Sequence, residues 1–127
     1  MMMKTRLRNE AALRFAERRQ REDDAPRLRD RVPSLATLRL EVTDGRGVTD
    51  VGPKHVRIIV VDTAPALFSL TCGDDACRDG GHDLTSSVLR GLVAGATRFD
   101  LEDRCYGNRG SAECGRTVRV RVTATYR

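Results

Sequence analysis

The hydrophobic positions of this chain change their period near residue 34. Residues 5 to 24 hold good helix formers and no Gly or Pro. Two Glu-to-Arg pairs at i,i+4, Glu10 with Arg14 and Glu17 with Arg21, have the spacing that supports an isolated helix by ~0.2–0.5 kcal/mol each. The pattern predicts a helix there. Its apolar stripe is short: Leu7, Ala11 and Phe15 align, Leu13 and Ala16 lie off the line, and nothing apolar follows Ala16 until Ala25. A helix with so narrow a stripe projects or lies on the surface. Pro26 and Pro33 then bracket Arg27-Leu28-Arg29-Asp30-Arg31, which reads as a linker or a short helical turn.

From Leu35 onward the period is two. Ala36, Leu38, Leu40 and Val42 alternate with Thr37, Arg39 and Glu41, the mark of a half-buried strand, and Asp44-Gly45-Arg46-Gly47 then turns the chain. Lys54 to Asp62 contains Ile58-Ile59-Val60-Val61, β-branched on both faces, which predicts a central strand covered on both sides. Ala66, Phe68, Leu70 and Cys72 define a third strand, and the polar loop from Gly73 to His82 fits neither period. Asp83 suits the N-cap of a helix in which Leu84, Val88, Leu89 and Leu92 share one face, and Gly95 suits its C-terminal cap. Phe99 and Leu101 mark a fourth strand. Val118, Val120, Val122, Ala124 and Tyr126 mark a fifth, the clearest alternation in the chain.

The expectation is an α+β fold: a basic N-terminal helix followed by β-β-β-α-β-β, with a mixed or antiparallel sheet and one helix packed on its apolar face. Residues 1–33 are expected to form a helical arm and linker, and residues 34–127 a small domain with a cysteine cluster. The 127 residues suit one hydrophobic core. No apolar stretch approaches the ~18 residues that a membrane-spanning helix needs. The basic N-terminus is followed by no apolar segment or small-residue cleavage site, so a secretory signal is not visible and a cytoplasmic location is expected.

Charge singles out the first segment. The net charge is +5, and residues 1 to 31 carry ten basic against six acidic residues, or +4, leaving thirteen against twelve, or +1, for the rest. An Arg-rich helix can follow a polyanion, so Arg14, Arg18 and Arg21, together with Arg119 and Arg121 on the polar face of the fifth strand, are candidate contacts to nucleic acid or to a protein partner. The polar faces of the first, second, fourth and fifth strands are read as carrying Arg39, Arg57, Arg98, Arg119 and Arg121, interspersed with Glu41, Asp100 and Glu102. An ordinary mixed-charge surface explains them equally well. Trp is absent and Phe68 and Phe99 belong to the core pattern, so no aromatic platform for stacking bases is available. The same helix offers a route to a homo-oligomer.

The candidate chemistry lies in four cysteines. Cys72, Cys77, Cys105 and Cys114 form C-x4-C and C-x8-C pairs, and His82 follows the first pair by five residues. Two local pairs in a reducing compartment point to metal before disulfide, because Zn2+ takes tetrahedral thiolate and imidazole ligands. The spacing is looser than the C-x2-C of zinc knuckles. Topology adds to it: a strand leading to Cys72, a returning helix and a strand leading to Cys105 place both at one end of the sheet. A structural zinc on the four cysteines is expected, with His82 as a possible substitute ligand. The competing reading is a metal-free protein-interaction domain whose thiols are buried or paired as disulfides, locally Cys72 with Cys77 and Cys105 with Cys114. Asp74, Asp75, Asp79 and Asp83 lack the D-x-D-x-D-G run of a calcium loop. No H-x-E with P-C-x-x-C, C-x-x-C, G-x-S-x-G, phosphate-cradling loop or H-E-x-x-H is present, so catalysis has little support.

Overall fold

The computed structural model describes residues 2–46, 50–72, 77, 80–109 and 112–127. In chain order the elements are α1 (Met2–Asp24), α2 (Leu28–Arg31), β1 (Leu35–Arg46), β2 (Asp50–Ile59), β3 (Ser69–Leu70), β4 (His82–Asp83), α3 (Thr85–Val93), β5 (Arg98–Arg104), β6 (Asn108–Arg109), β7 (Ala112–Glu113) and β8 (Thr117–Tyr126). Four of the strands form the main sheet in the order β2-β1-β8-β5, antiparallel at every junction. The fold is α+β, as the alternation of period two and the single apolar helix predict.

One face of that sheet makes the core. Leu38, Leu40 and Val42 on β1 and Val118, Val120, Val122 and Ala124 on β8 are buried, and Leu84, Val88 and Leu92 bring the apolar side of α3 onto them. The intervening residues face outward. Asp83 accepts a hydrogen bond from Thr85 N at 3.1 Å, so its carboxylate serves the first turn of α3 from one position before the assigned N-cap, Leu84. Gly95 follows the helix with φ +78°, a left-handed conformation that Gly adopts without steric cost.

Three expectations change. Ile58 to Val61 does not lie in a central strand: β2 ends at Ile59 and forms an edge of the sheet, with Ile58 and Val60 exposed. A short apolar run has no periodicity with which to distinguish two covered faces from one uncovered face. The segment from Ala66 to Cys72 does not enter the main sheet. Only Ser69 and Leu70 are strand, and they pair with Asp83 and His82 in a separate two-stranded ribbon, while Ala66 and Phe68 insert into the core from outside the sheet. Asp44 to Arg46 continues β1 through a bulge between Thr43 and Gly45 instead of turning, and Gly47 lies outside the described residues.

The N-terminal segment divides at Ala25. From Ala12 to Asp24 every residue of α1 is exposed or half-buried, Leu13 and Phe15 included. Just beyond it, Leu28 and Val32 are buried in the core, and Leu28 N donates to Ala64 O while Ala66 N donates to Pro26 O. The piece between the prolines is therefore a helical turn tied to the fold by the inward side chains of Leu28 and Val32 and by backbone hydrogen bonds.

Candidate metal centre

Two short ribbons carry the cysteines. Cys72 leaves β3 and Cys77 precedes the return into β4, so the first pair sits at the tip of the β3–β4 ribbon. Beyond β5 and before β8 the chain narrows into β6–β7, and Cys105 and Cys114 flank that ribbon. Backbone hydrogen bonds from Cys105 N to Arg116 O at 2.8 Å and from Cys114 N to Gly107 O at 2.9 Å hold the second pair across from each other. Both strands of this ribbon lie within the C-x8-C spacing.

The ribbons meet, and the four sulfurs lie within 4.8 Å of one another. The Sγ of Cys72 is 3.6 Å from that of Cys114, and the Sγ of Cys77 is 3.6 Å from that of Cys105. Sulfurs at the corners of a tetrahedron around zinc, with bonds of about 2.3 Å, stand about 3.8 Å apart. A disulfide requires about 2.05 Å, and all four cysteines are unlinked. Both of these contacts join a cysteine of the first pair to one of the second, and neither stands at disulfide distance. Cys105 and Cys114 are buried and Cys72 and Cys77 half-buried.

The surroundings act in opposite directions on two of the thiols. Burial, followed by hydrogen bonds with Cys105, Cys114 and Cys72, pushes the Cys77 thiol far above the ordinary thiol range. Burial acts on Cys114 in the same direction, but the Arg116 backbone N–H and the other three thiols outweigh it and hold Cys114 below its ordinary value. Gly107 N adds an N–H donor 3.4 Å from the Cys105 sulfur. Backbone amides aimed at sulfur offset part of the negative charge that several thiolates would gather. The donor set is soft, closed and of the number that zinc prefers.

His82 has a different partner. It is 2% exposed, and its Nδ1 lies 2.9 Å from Oδ2 of Asp103; the metal-ligating group among the described residues consists of the four cysteines without it. Asp103 was not singled out by sequence. It continues the inward positions Phe99 and Leu101 on β5, and an acid in line with two core residues is the signal that would have found it. Gly80 was missed as well: a Cβ there would overlap the sulfurs of Cys77 and Cys105. The acidic positions Asp74, Asp75 and Asp79 lie outside the described residues.

The candidate arginines are not brought together with the cysteines. Arg14 and Arg21 are exposed on α1, and Arg18 pairs with Glu22 at 3.5 Å. On the open face of the sheet Arg121 Nε donates to Asp100 Oδ1 at 2.9 Å, and Arg119 lies 3.9 Å from Glu102. Register sets these pairs, since Asp100 stands opposite Arg121 and Glu102 opposite Arg119 across β5 and β8. Arg57 is not on this face. It stands opposite Leu40, on the core side of the edge strand, because Arg39 pairs with Ile58.

Comparison with family models, curated proteins and solved structures finds no match to this chain. Among the described residues no helix is long and apolar enough to cross a membrane.

Proposed function

We propose that this chain is a small zinc-binding interaction module in which Cys72, Cys77, Cys105 and Cys114 hold one structural Zn2+. The observation that carries the reading is the mutual approach of four sulfurs, contributed by two separate ribbons, to within 4.8 Å. Four thiolates complete a tetrahedron and leave no position for a reactive water, which favours a structural over a catalytic role. The metal would join two ribbons of two residues per strand, each too short to persist alone. A reducing compartment such as the cytoplasm is the setting that free thiols require.

Partner contact is assigned to the surfaces beyond the metal. The ion pairs of Arg18, Arg119 and Arg121 with carboxylates support a protein partner over a phosphate backbone, since each cation already has a countercharge. A nucleic-acid complex would weaken steeply with salt, and replacing Arg14, Arg18 and Arg21 by Gln would abolish it.

Intact mass under native and then denaturing, non-reducing conditions tests the metal. One bound zinc that is lost on denaturation, with all four thiols then alkylatable, is the expected result. A chain lacking metal and lighter by four hydrogens would contain two disulfides and would overturn the proposal.

A further inference from the structure

Strand β2 is an edge of the main sheet, and among the described residues no strand pairs with its outer side. Its residues alternate sharply. On the open face of the sheet Val56, Ile58 and, just past the strand, Val60 are 48%, 70% and 65% exposed. On the core side His55 stands opposite Val42 and Arg57 opposite Leu40. Arg57 makes no ion pair with a described carboxylate, in contrast to Arg18, Arg119 and Arg121. A groove of about 470 Å³ opens beside it, lined by Arg18, Val42, His55, Arg57, Leu70 and His82 among others.

A long apolar edge invites another strand, while charges on the inward side of an edge strand discourage pairing with a like edge. Both features occur here, and the registers show what each excludes. Antiparallel pairing with a second copy centred on Arg57 would set guanidinium against guanidinium, and pairing centred on Val56 would set His55 against Arg57. Pairing centred on Ile58 would bring Val60 into the ladder, where its carbonyl already accepts hydrogen bonds from Thr63 N and Ala64 N. The edge is poorly matched to itself. It is well matched to a strand of opposite charge pattern.

We propose that β2 is an acceptor edge for an extended partner segment in which acidic and apolar side chains alternate, added to the sheet as a fifth strand. Backbone hydrogen bonds to residues 55–59 supply the general attraction. The partner's carboxylates enter the groove beside His55 and Arg57, and its apolar side chains cover Val56 and Ile58. The preference for an acidic segment follows from the Arg57 guanidinium on the side of the strand where burial ordinarily selects apolar residues. This inference deepens the reading of an interaction module and does not depend on the metal. Zinc content and segment binding, measured on one sample, therefore succeed or fail separately.

Fluorescence anisotropy of the full zinc-loaded chain with three labelled peptides tests it: one built on Glu-Val-Glu-Val-Glu, one on Lys-Val-Lys-Val-Lys, and a block-ordered Glu-Glu-Glu-Val-Val of the same composition as the first. The alternating acidic peptide is expected to bind best and to slow amide exchange at residues 55–59. Arg57→Glu, at an exposed position, is expected to weaken that peptide by about fivefold and to favour the Lys-Val one, because an opposite-charge cross-strand pair becomes a like-charge pair. Ile58→Lys is expected to weaken binding while the circular dichroism of the free chain is kept. The proposal is overturned by absence of binding, by equal binding of the block-ordered peptide, or by indifference to Arg57→Glu. Sedimentation showing a dimer that Ile58→Lys dissociates would overturn it in favour of a second copy.

Discussion

At Gly80 the backbone passes against the cysteine cluster, and an added methyl group would overlap the sulfurs of Cys77 and Cys105 and press on Gly107 Cα. Gly95 presents the opposite situation, with open space around it and a left-handed φ of +78°. Their Ala variants are therefore expected to fail differently. Gly80→Ala displaces two of the four ligands and should lower zinc affinity by about tenfold, as loss of support around a metal site does, read by competition with a chromophoric chelator. Gly95→Ala should leave that affinity unchanged and lower stability by about 1 kcal/mol through backbone strain, read by denaturant unfolding. A third residue-scale prediction concerns Asp100. The Arg121 side chain that hydrogen-bonds its carboxylate holds it below its ordinary value of 3.8. A depressed carboxylate stabilises the fold above its unfolded pKa, so this contribution is present above pH 3.8 and is lost as pH falls below it. Arg121→Gln should bring the NMR titration of Asp100 back toward the ordinary value and flatten the acid limb of stability below pH 3.8 by a small amount, as expected of an exposed pair.

Element by element, α2 buries a side chain in the core, whereas from Ala12 to Asp24 α1 buries none. Leu28, fully buried in a helical turn of four residues, ties the N-terminal segment to the core, whereas Leu13 on the long helix is 60% exposed. Leu28→Ala is expected to cost about 2–5 kcal/mol in urea unfolding, while Leu13→Ala should stay within about 0.5 kcal/mol. Equal effects would mean that α1 packs on the fold. The sequence made most elements legible where periodicity persisted: β1, β5, β8 and α3 lie where alternation or a one-sided helical face placed them. It failed where the pattern was too short to carry a period. Ile58 to Val61 is apolar on both faces in any register, and only the neighbouring strand reveals that Arg57, not Ile58, points coreward. Phe68 and Leu70 alternate like a strand yet face the core from a loop joined to a ribbon of two residues, because two-residue ribbons leave no periodic trace. The cluster itself was legible because the connection from Cys72 through α3 to Cys105 returns the chain to one end of the sheet, a result that holds although β3 never joins that sheet. The Asp103–His82 pair was not, since nothing in the linear spacing of an acid and a histidine 21 residues apart indicates a contact.

At the scale of the whole molecule, the main sheet and its core stand on their own packing, the β3–β4 ribbon leans on them through Leu70 and the His82–Asp103 bond, and its cysteine tip meets the β6–β7 ribbon at the sulfur cluster. The core residues of β1, β8 and α3 form one cluster to which Cys105 and Cys114, though buried, do not belong. Among the described residues each ribbon has a single two-residue ladder, and a ladder of that length is not stable in water without further support. Metal bound by both ribbons in the folded state adds RT ln(1 + [Zn]/Kd) to stability, about 4 kcal/mol when free zinc exceeds Kd a thousandfold. That increment belongs to the ribbons first. Chelation is therefore expected to remove hydrogen-exchange protection from amides at 69–72, 82–84, 105–109 and 112–116 while the central strands β1 and β8 keep theirs, since local opening follows the weakest cooperative unit. Ligands must lose protons to bind, so the same partial opening should follow acidification of the zinc-loaded chain. Full loss of protection in β1 and β8 on chelation would show instead that the metal organises the entire fold, and that the sheet does not survive without it.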